Sequence, residues 1–341
     1  MARIPISILT GFLGSGKTTV LAHLLTHPQM RRTAVLVNEF GEVGIDDLVL
    51  RQVTDNVVLL ESGCICCTIG DDLTKRLLEL LAQREAGTIP PFDRAIIETT
   101  GLADPAPLMQ SFMTDPLARA PFRLAAVITT VDAVNGAREL DEHVESVKQV
   151  AVADRLLITK SDMVDSRAVE TLLVRLGAIN PSAPVHTIAH GRVDPDEIID
   201  AGLWNARTQR VDVERWLGDA PPGGRTYRLR TPASGRHDAR IETFCLKWKA
   251  PLDYQAFADA IERLVAHHGA GLLRIKGILN VEGAARPVVV HGVQHVFHPP
   301  VHLAQWPGDD RRSRVVFITK DVTREAVEAE LAALSVAPSP A

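Results

Sequence analysis

Hydrophobic and polar positions follow two recurring patterns along the first two hundred residues of the chain. Short continuous apolar runs predict β-strands, and longer amphipathic runs between several of them predict α-helices. The predicted strands are Ile4–Thr10, Thr33–Asn38, Val57–Leu60, Arg94–Glu98, Leu124–Val131, Arg155–Thr159 and Val185–Ile188. The predicted helices are Lys17–Thr26, Asp71–Arg84, Pro105–Phe112, Ala133–Val150 and Arg167–Leu176. This alternation is typical of an α/β fold with a mostly parallel, doubly wound sheet.

The pattern changes near residue 203, where a stretch rich in Gly, Pro and Arg predicts a linker. Beyond it we predict strands and helices in the order of a smaller α+β domain with an antiparallel sheet. Its predicted strands are Arg240–Trp248, Leu272–Val281, Pro287–Phe297 and Arg314–Thr319, and its helices are Asp253–His268 and Thr323–Leu334. The predicted organisation is therefore a domain over 1–202, a linker over 203–238, a second domain over 239–336 and a tail over 337–341.

Composition narrows the class of protein. Of the 341 residues, 46% are hydrophobic and 23% are charged, which is typical of a globular protein with enough core material for two domains. A net charge of −5 and an aromatic content of only 4% argue against nucleic acid as a partner. No apolar run has the length of a membrane span, and the N-terminal residues lead straight into a predicted strand. We therefore expect a cytoplasmic protein that does not engage a membrane.

A phosphate-binding motif follows the first predicted strand. Residues 11–18, GFLGSGKT, match the P-loop pattern GxxxxGK[ST] at every required position. Such a loop turns main-chain N–H groups toward an anion at the start of a helix. Lys17 is expected to reach the β- and γ-phosphates, and the hydroxyl of Thr18 to bind Mg²⁺. The predicted nucleotide-binding residues of this segment are Gly11, Gly14, Ser15, Gly16, Lys17, Thr18 and Thr19.

The fourth predicted strand ends in a second candidate element, Glu98-Thr99-Thr100-Gly101. An acidic residue at such a strand end can hold Mg²⁺ through water, so Glu98 joins Lys17 and Thr18 as a predicted catalytic residue. The amide of Gly101 is expected to reach the γ-phosphate. Many strands end in acidic turns, and the assignment depends on the neighbouring P-loop.

A third motif indicates which base is read. Residues 159–162, TKSD, resemble the guanine-reading NKxD motif, with Thr in place of Asn at its first position. The Asp162 carboxylate can accept two hydrogen bonds from the N1–H and N2 amine of guanine, and adenine lacks that pair of donors. Lys160 is expected to pack along the purine, and His190, at the end of the next strand, to form a wall of the base pocket.

Three of the four cysteines lie within four residues, at Cys64, Cys66 and Cys67. Three thiolates on one tight loop can form a soft site for Zn²⁺ or Cu⁺, with a further ligand completing a tetrahedron. Two other interpretations stay open at this point: small buried residues at a strand–helix junction, and a redox pair.

Taken together, the motifs resemble those of the CobW-type GTPases. The matching segments are GFLGSGKTT at 11–19, NEFGEVGID at 38–46, GCICC at 63–67, ETTGLADP at 98–105 and TKSD at 159–162, with LLRIKGIL at 272–279, HGVQHVF at 291–297 and RSRVVFI at 312–318 in the second domain. The resemblance spans nearly the whole chain.

This resemblance implies a GTPase whose nucleotide state is coupled to binding and delivery of a transition metal, zinc by preference, to a client metalloprotein. No obvious glutamine or arginine finger is present in the sequence, so we expect slow intrinsic hydrolysis. It implies that Cys64, Cys66 and Cys67 form the metal motif, and that Asn38–Asp46 is the nucleotide-sensing switch. Glu39 and Glu42 are candidate ligands of the metal or of Mg²⁺, and an ordinary solvated position explains either carboxylate equally well. The implied cofactors are Mg²⁺ and Zn²⁺, with GTP as substrate and GDP as product.

The same motifs are compatible with other functions. A P-loop kinase or ATPase would prefer ATP, which Asp162 argues against. In a GTP-dependent assembly chaperone metal binding would be secondary, and in a thiol switch the cysteines would form a disulfide. The histidines His267, His268, His291, His295, His298 and His302 are numerous enough for a second metal site, but alternation with apolar residues favours ordinary surface positions for His291 and His295.

Overall fold

The computed structural model describes residues 3–37, 57–61, 71–199, 225–228, 240–297 and 299–335. The chain divides into two compact units. One unit comprises Met1–Val174 with Pro184–Asn205, and the other comprises Arg175–Ala183 with Ala206–Ala341.

The first unit is built around a parallel sheet. Its seven described strands are β1 (Ile4–Gly11), β2 (Thr33–Val37), β3 (Val57–Glu61), β4 (Arg94–Glu98), β5 (Phe122–Asp132), β6 (Arg155–Thr159) and β7 (Val185–Thr187). They pair in parallel in the order β3-β2-β4-β1-β5-β6-β7. Strand β1 lies in the middle with nearly every residue buried, as a strand covered on both faces requires. The predicted α/β fold with a parallel, doubly wound sheet is confirmed.

Helices connect these strands. They are α1 (Lys17–Thr26), α2 (Asp71–Glu85), α3 (Ala106–Thr114), α4 (Pro116–Arg119), α5 (Gly136–Glu142), α6 (Val144–Val152), α7 (Ser166–Ile179) and α8 (Asp196–Ile199). Helix α1 buries Val20, Leu21, Leu24 and Leu25, whose spacing places them on one face, against apolar residues of β1, β2 and β4. Packing of this face holds the start of α1 at the carboxyl end of β1.

One predicted helix, Ala133–Val150, is divided in the structure. Helix α5 ends at Glu142, and α6 begins at Val144 after an extended residue, His143. The imidazole of His143 stacks on the ring of Phe12, with 4.5 Å between the ring centroids. This contact with a residue distant in sequence accompanies the break, and helical periodicity alone gives no sign of it.

The second unit contains an antiparallel sheet. Its described strands are β8 (Arg225–Arg228), β9 (Arg240–Trp248), β10 (Leu272–Leu279), β11 (Val288–Val293), β12 (Val296–Phe297), β13 (Val301–His302) and β14 (Ser313–Lys320). Their order is β12-β11-β10-β14-β9-β8, and β13 pairs with β11. Residues 225–228 lie within the predicted linker over 203–238, yet they pair with β9. The linker prediction therefore missed a strand, which is short and surrounded by Gly and Pro.

Helices α9 (Tyr254–His268) and α10 (Arg324–Glu330) cover one face of this sheet. Asp253 caps α9 by accepting a hydrogen bond of 2.7 Å from the amide of Ala256, and Thr323 caps α10. The predicted α+β arrangement is confirmed. The predicted surface position of His291 is wrong, because this residue of β11 is 2% exposed, whereas His295 is exposed. None of the helices in the described part of the chain is long and apolar enough to cross a membrane.

Candidate nucleotide-binding site

The P-loop connects the carboxyl end of β1 to α1. Gly16 has φ 86°, a left-handed conformation that residues with a Cβ rarely adopt, and it immediately precedes the first helical residue, Lys17. Lys17 is 8% exposed, and its ammonium donates to the carbonyls of Gly11, at 2.9 Å, and Phe12, at 3.1 Å. The loop is thus closed around its own lysine, which brings a positive charge to the start of the helix.

Thr18 and Glu98 lie together at the carboxyl edge of the sheet. The hydroxyl of Thr18 donates a hydrogen bond of 2.8 Å to the Glu98 carboxylate, which is 4% exposed at the end of β4. A hydroxyl and a carboxylate are the oxygen donors that Mg²⁺ prefers, so this pair of residues fits a magnesium ion.

A chain of hydroxyl groups ties the P-loop to β5 and β6. Thr159, the last residue of β6, donates through its hydroxyl to the carbonyl of Ser15 at 2.7 Å. The hydroxyl of Ser15 in turn lies 2.7 Å from that of Thr130 in β5. All three residues are buried. The phosphate loop and the segment that follows β6 are therefore held in fixed relation to each other.

The residues predicted to read the base meet next to Thr159. Lys160 has φ 55°, and its ammonium forms an ion pair of 2.8 Å with Asp132, the last residue of β5. The Asp162 carboxylate lies 3.5 Å from Nδ1 of His190, and both side chains are partly accessible. These groups form one side of an open site in which the carboxylate of Asp162 can accept hydrogen bonds from a ligand.

The His190 segment also reaches the helix that follows the P-loop. A Cβ added at Gly191 would stand 2.8 Å from the carbonyl oxygen of Thr19, so glycine permits this close approach. Thr19 therefore lies beside the segment that carries His190, and His190 lies beside Asp162 of the TKSD motif.

Two buried carboxyl groups shape the electrostatics of the site. Burial raises the pKa of Asp132, but hydrogen bonds from Lys160, Asn135 and Val134 and the charge of Lys160 outweigh it, so the pKa lies below the ordinary value. Burial raises the pKa of Glu139 in α5 to about 7, and the charge of Asp132 adds to this effect against the opposing cations. Asp132 is therefore a fixed anion, and Glu139 is a carboxyl that titrates near neutral pH.

The loop that carries Gly101 lies against the P-loop. The amide of Thr99 donates to the carbonyl of Leu9 at 3.0 Å, which continues the pairing of β4 with β1. A Cβ added at Gly101 would stand 2.6 Å from the main-chain nitrogen of Leu13, so only glycine fits here. Helix α6 contacts the same loop through Gln149, whose side-chain amide donates to the carbonyls of Gly101 and Ala103, both at 3.0 Å.

The predicted metal site lies outside the described residues. This applies to Cys64, Cys66, Cys67 and Glu42, and also to Glu39 and the switch Asn38–Asp46. Their assignment stays a prediction. Within the ranges that the structure does describe, no group of three or more His, Cys, Asp or Glu side chains is arranged to hold a metal ion. His267, His268, His291, His295 and His302, the described histidines considered above, therefore form no such group.

Sequence reasoning missed four residues of this site: Thr130, Asp132, His143 and Gln149. Asp132 carried a usable signal, because it ends an apolar strand in the same way as Glu98. Thr130 lies inside an apolar run, and Gln149 and His143 lie within a predicted helix. Nothing local distinguishes these three residues from ordinary polar positions.

The fold and the site together define a P-loop nucleotide-binding protein. The family described as the CobW/HypB/UreG nucleotide-binding domain matches residues 5–187, and the C-terminal domain of the cobalamin synthesis protein CobW matches residues 241–335. The chain belongs to the CobW/HypB/UreG family.

Similar proteins of known name support the same relationship. The zinc chaperone YjiA of Escherichia coli is 33% identical over 338 residues, covering 98% of this chain and 99% of that protein. The zinc chaperone CobW of Pseudomonas aeruginosa is 29% identical and covers 97% of this chain and 91% of that protein. The crystal structure of Zn(II)-bound YjiA GTPase matches with a TM-score of 0.70 at 28% identity and covers 98% and 99% of the two chains.

Proposed function

We propose that this protein is a GTPase that acts as a metallochaperone, coupling its nucleotide state to the binding and delivery of zinc. In this proposal GTP and GDP occupy the site between the P-loop and the TKSD motif, zinc is the cargo, and a client metalloprotein receives it. The names of the E. coli and P. aeruginosa relatives and the zinc-bound structure of the former support zinc as the metal.

The residues of the nucleotide site have separate roles in this proposal. Lys17 neutralises charge on the β- and γ-phosphates, and Asp162 accepts the guanine N1–H and N2 donors. Thr18 and Glu98 hold Mg²⁺, which when bound polarises the phosphate oxygens. The amide of Gly101 donates to the γ-phosphate, so the loop after β4 distinguishes GTP from GDP.

One structural observation carries the coupling of nucleotide to metal. Strands β4, β2 and β3 end at one level, because Glu98 pairs with Val37 and Val37 with Glu61, and Glu98 lies beside Leu9 near the end of β1. Since neighbouring strands lie about 4.8 Å apart, the chain leaves β3 only about 10 Å from Glu98. The segment that leaves β2 is the predicted switch, and the segment that leaves β3 carries the cysteine motif.

This arrangement supports a linkage mechanism. If the γ-phosphate orders the switch in a form that favours zinc at Cys64, Cys66 and Cys67, zinc must favour GTP by the same factor. Typical coupling energies are roughly 1–3 kcal/mol, or about five- to 150-fold in affinity. Hydrolysis then removes the γ-phosphate and lowers the affinity for zinc, so that the metal is released to the client.

The test measures zinc affinity of the metal-stripped protein with a competing chelator, in the nucleotide-free, Mg-GDP and Mg-GTP-analogue states. We expect the tightest binding with the GTP analogue, and its loss when Cys64, Cys66 and Cys67 are all replaced by Ser. Cys245→Ser is the matched control, because this partly buried thiol of β9 belongs to the second unit. An equal zinc affinity in all three nucleotide states would contradict the coupling. It would favour a GTP-dependent chaperone in which metal binding is secondary.

A further inference from the structure

Helix α6 makes direct contact with the loop that follows β4. The amide nitrogen of Gln149 donates to the carbonyls of Gly101 and Ala103, each at 3.0 Å. The preceding residue, Lys148, forms an ion pair of 2.8 Å with Asp104 at the far end of the same loop. Two consecutive residues of one helix therefore hold the loop at three points.

The residue that anchors this contact, Gln149, is buried and tied to the sheet. Gln149 is 0% exposed, and its main-chain carbonyl accepts a hydrogen bond of 2.8 Å from the hydroxyl of Thr129 in β5. Both side-chain donations go to main-chain carbonyls, so the contact does not depend on which side chains the loop carries. The side-chain oxygen of Gln149 is buried without a hydrogen-bond partner among the described residues.

The held loop lies where the γ-phosphate is expected. Thr99 fixes its beginning, because its hydroxyl donates to that of Thr10 at 2.8 Å and its amide to the carbonyl of Leu9 at 3.0 Å. Gln149 fixes its middle, and Gly101 is pressed against the main chain of Leu13 in the P-loop. A loop that is ordered before the ligand arrives loses less conformational entropy when it binds, and this raises affinity.

We propose that Gln149, assisted by Lys148, is a positioning residue that pre-orders the Gly101 loop and thereby sets the preference of the protein for GTP over GDP. The inference rests on the proposed function, in which the amide of Gly101 contacts the γ-phosphate. GDP has no γ-phosphate, so its affinity does not depend on this loop. Gln149 itself touches neither the nucleotide nor the metal, and it acts only through the loop.

The experiment compares the dissociation constants of Mg-GDP and a non-hydrolysable Mg-GTP analogue in the full chain. Gln149→Met keeps the side-chain volume and removes both donors. We expect its affinity for the GTP analogue to fall about tenfold, while its affinity for GDP changes less than about twofold. Lys148→Met removes the partly buried ion pair with Asp104 and should lower GTP-analogue affinity by about two- to fivefold, again without an effect on GDP.

Two controls make the result decisive. Lys247→Met alters an exposed lysine of β9 in the second unit and should leave both affinities unchanged. Should Gln149→Met fail to fold, as judged by its thermal transition, Lys148→Met alone decides the question. An equal loss for both nucleotides would show a purely structural role and overturn the inference, as would unchanged affinities in both variants.

Lys17→Ala separates this inference from the proposed function. If wild-type protein binds GTP and Lys17→Ala abolishes binding, while the Gln149 and Lys148 variants keep the wild-type ratio of GTP to GDP affinity, only the positioning role is wrong. If wild-type protein binds neither nucleotide, or Lys17→Ala binds both normally, the nucleotide site itself is wrong.

Discussion

The hydroxyl of Thr159 donates a hydrogen bond of 2.7 Å to the main-chain carbonyl of Ser15, across 144 residues of sequence. Thr159 stands where the guanine-reading motif NKxD has Asn. The structure shows that the threonine hydroxyl ties the TKSD segment to the P-loop. The P-loop and the TKSD segment, which we propose bind the phosphates and the base, are therefore directly linked.

Removing this hydroxyl should loosen this link. In Thr159→Val the side-chain shape is preserved, but the carbonyl of Ser15 loses a buried donor, at a cost of about 1–2 kcal/mol. We expect a lower midpoint of thermal unfolding and roughly a tenfold loss of affinity for both GTP and GDP, measured with a fluorescent nucleotide. Thr171→Val is the matched control, because its hydroxyl bonds within α7 on an exposed face. If both variants bind nucleotide equally well, the tether has no role in binding.

Lys17 should be indispensable for hydrolysis. Its ammonium stands at the start of α1 on the carbonyls of Gly11 and Phe12, and no other lysine precedes it in the sequence. Loss of one preorganised charge at a transferring phosphoryl group lowers kcat by roughly 100- to 1,000-fold. We therefore expect the kcat of Lys17→Ala, measured in a phosphate-release assay, to be lower than that of the wild type by this factor. Lys320→Ala, in β14 of the second unit, serves as the control. Wild-type turnover in Lys17→Ala would show that the P-loop assignment is wrong.

Asp162 should determine the choice of base. Asp162→Asn replaces an acceptor by an amide that can donate to the C2 carbonyl of xanthine, and it removes the charge-assisted bonds to guanine. We expect GTP affinity to fall by about 100-fold and XTP affinity to rise, measured by competition against a fluorescent nucleotide. Asp165→Asn, an exposed aspartate on the same segment, should preserve the preference for GTP. Unchanged selectivity in Asp162→Asn would place guanine recognition elsewhere.

Glu139 should make stability depend on pH near neutrality. Its pKa is raised from 4.5 to about 7, chiefly by burial and then by the charge of Asp132. The folded state therefore favours the protonated carboxyl, and the stability that this gives is present below pH 4.5 and is lost as the pH rises through about 7.

Glu139→Gln is always neutral and isolates this effect. Relative to the wild type, the variant should gain roughly 1–3 kcal/mol in the free energy of unfolding between about pH 5 and about pH 8, measured by urea denaturation. Glu142→Gln, an exposed position in α5, is the control. A constant difference between Glu139→Gln and wild type across this range would show that the Glu139 carboxyl does not titrate there.

Much of the site follows from the sequence for a local reason. The P-loop, Glu98, Gly101 and the TKSD segment each directly follow a short apolar run, and each such run is a strand of the sheet. Strands buried on both faces are continuously apolar, so their boundaries can be read from composition alone. Parallel strands carry their carboxyl ends to one edge, which brings these motifs together without any knowledge of side-chain contacts.

The features that the sequence did not predict depend on contacts between segments that are distant in the chain. The break at His143 accompanies stacking on Phe12, and the strand at residues 225–228 is defined by pairing with β9. His291 is buried because of where β11 lies in the second unit, although its local pattern suggests a surface position.

The sequence by itself determined the class of fold, the phosphate and guanine motifs and the cysteine cluster, because each depends on residues that are neighbours in the chain. Only the tertiary structure decided that Thr159 holds Ser15, that Asp132 holds Lys160 and that Gln149 holds the Gly101 loop. Each of these pairs joins segments at least 28 residues apart. Hydrogen bonds between such segments exist only once the strands are ordered side by side, and no periodicity along the chain encodes them.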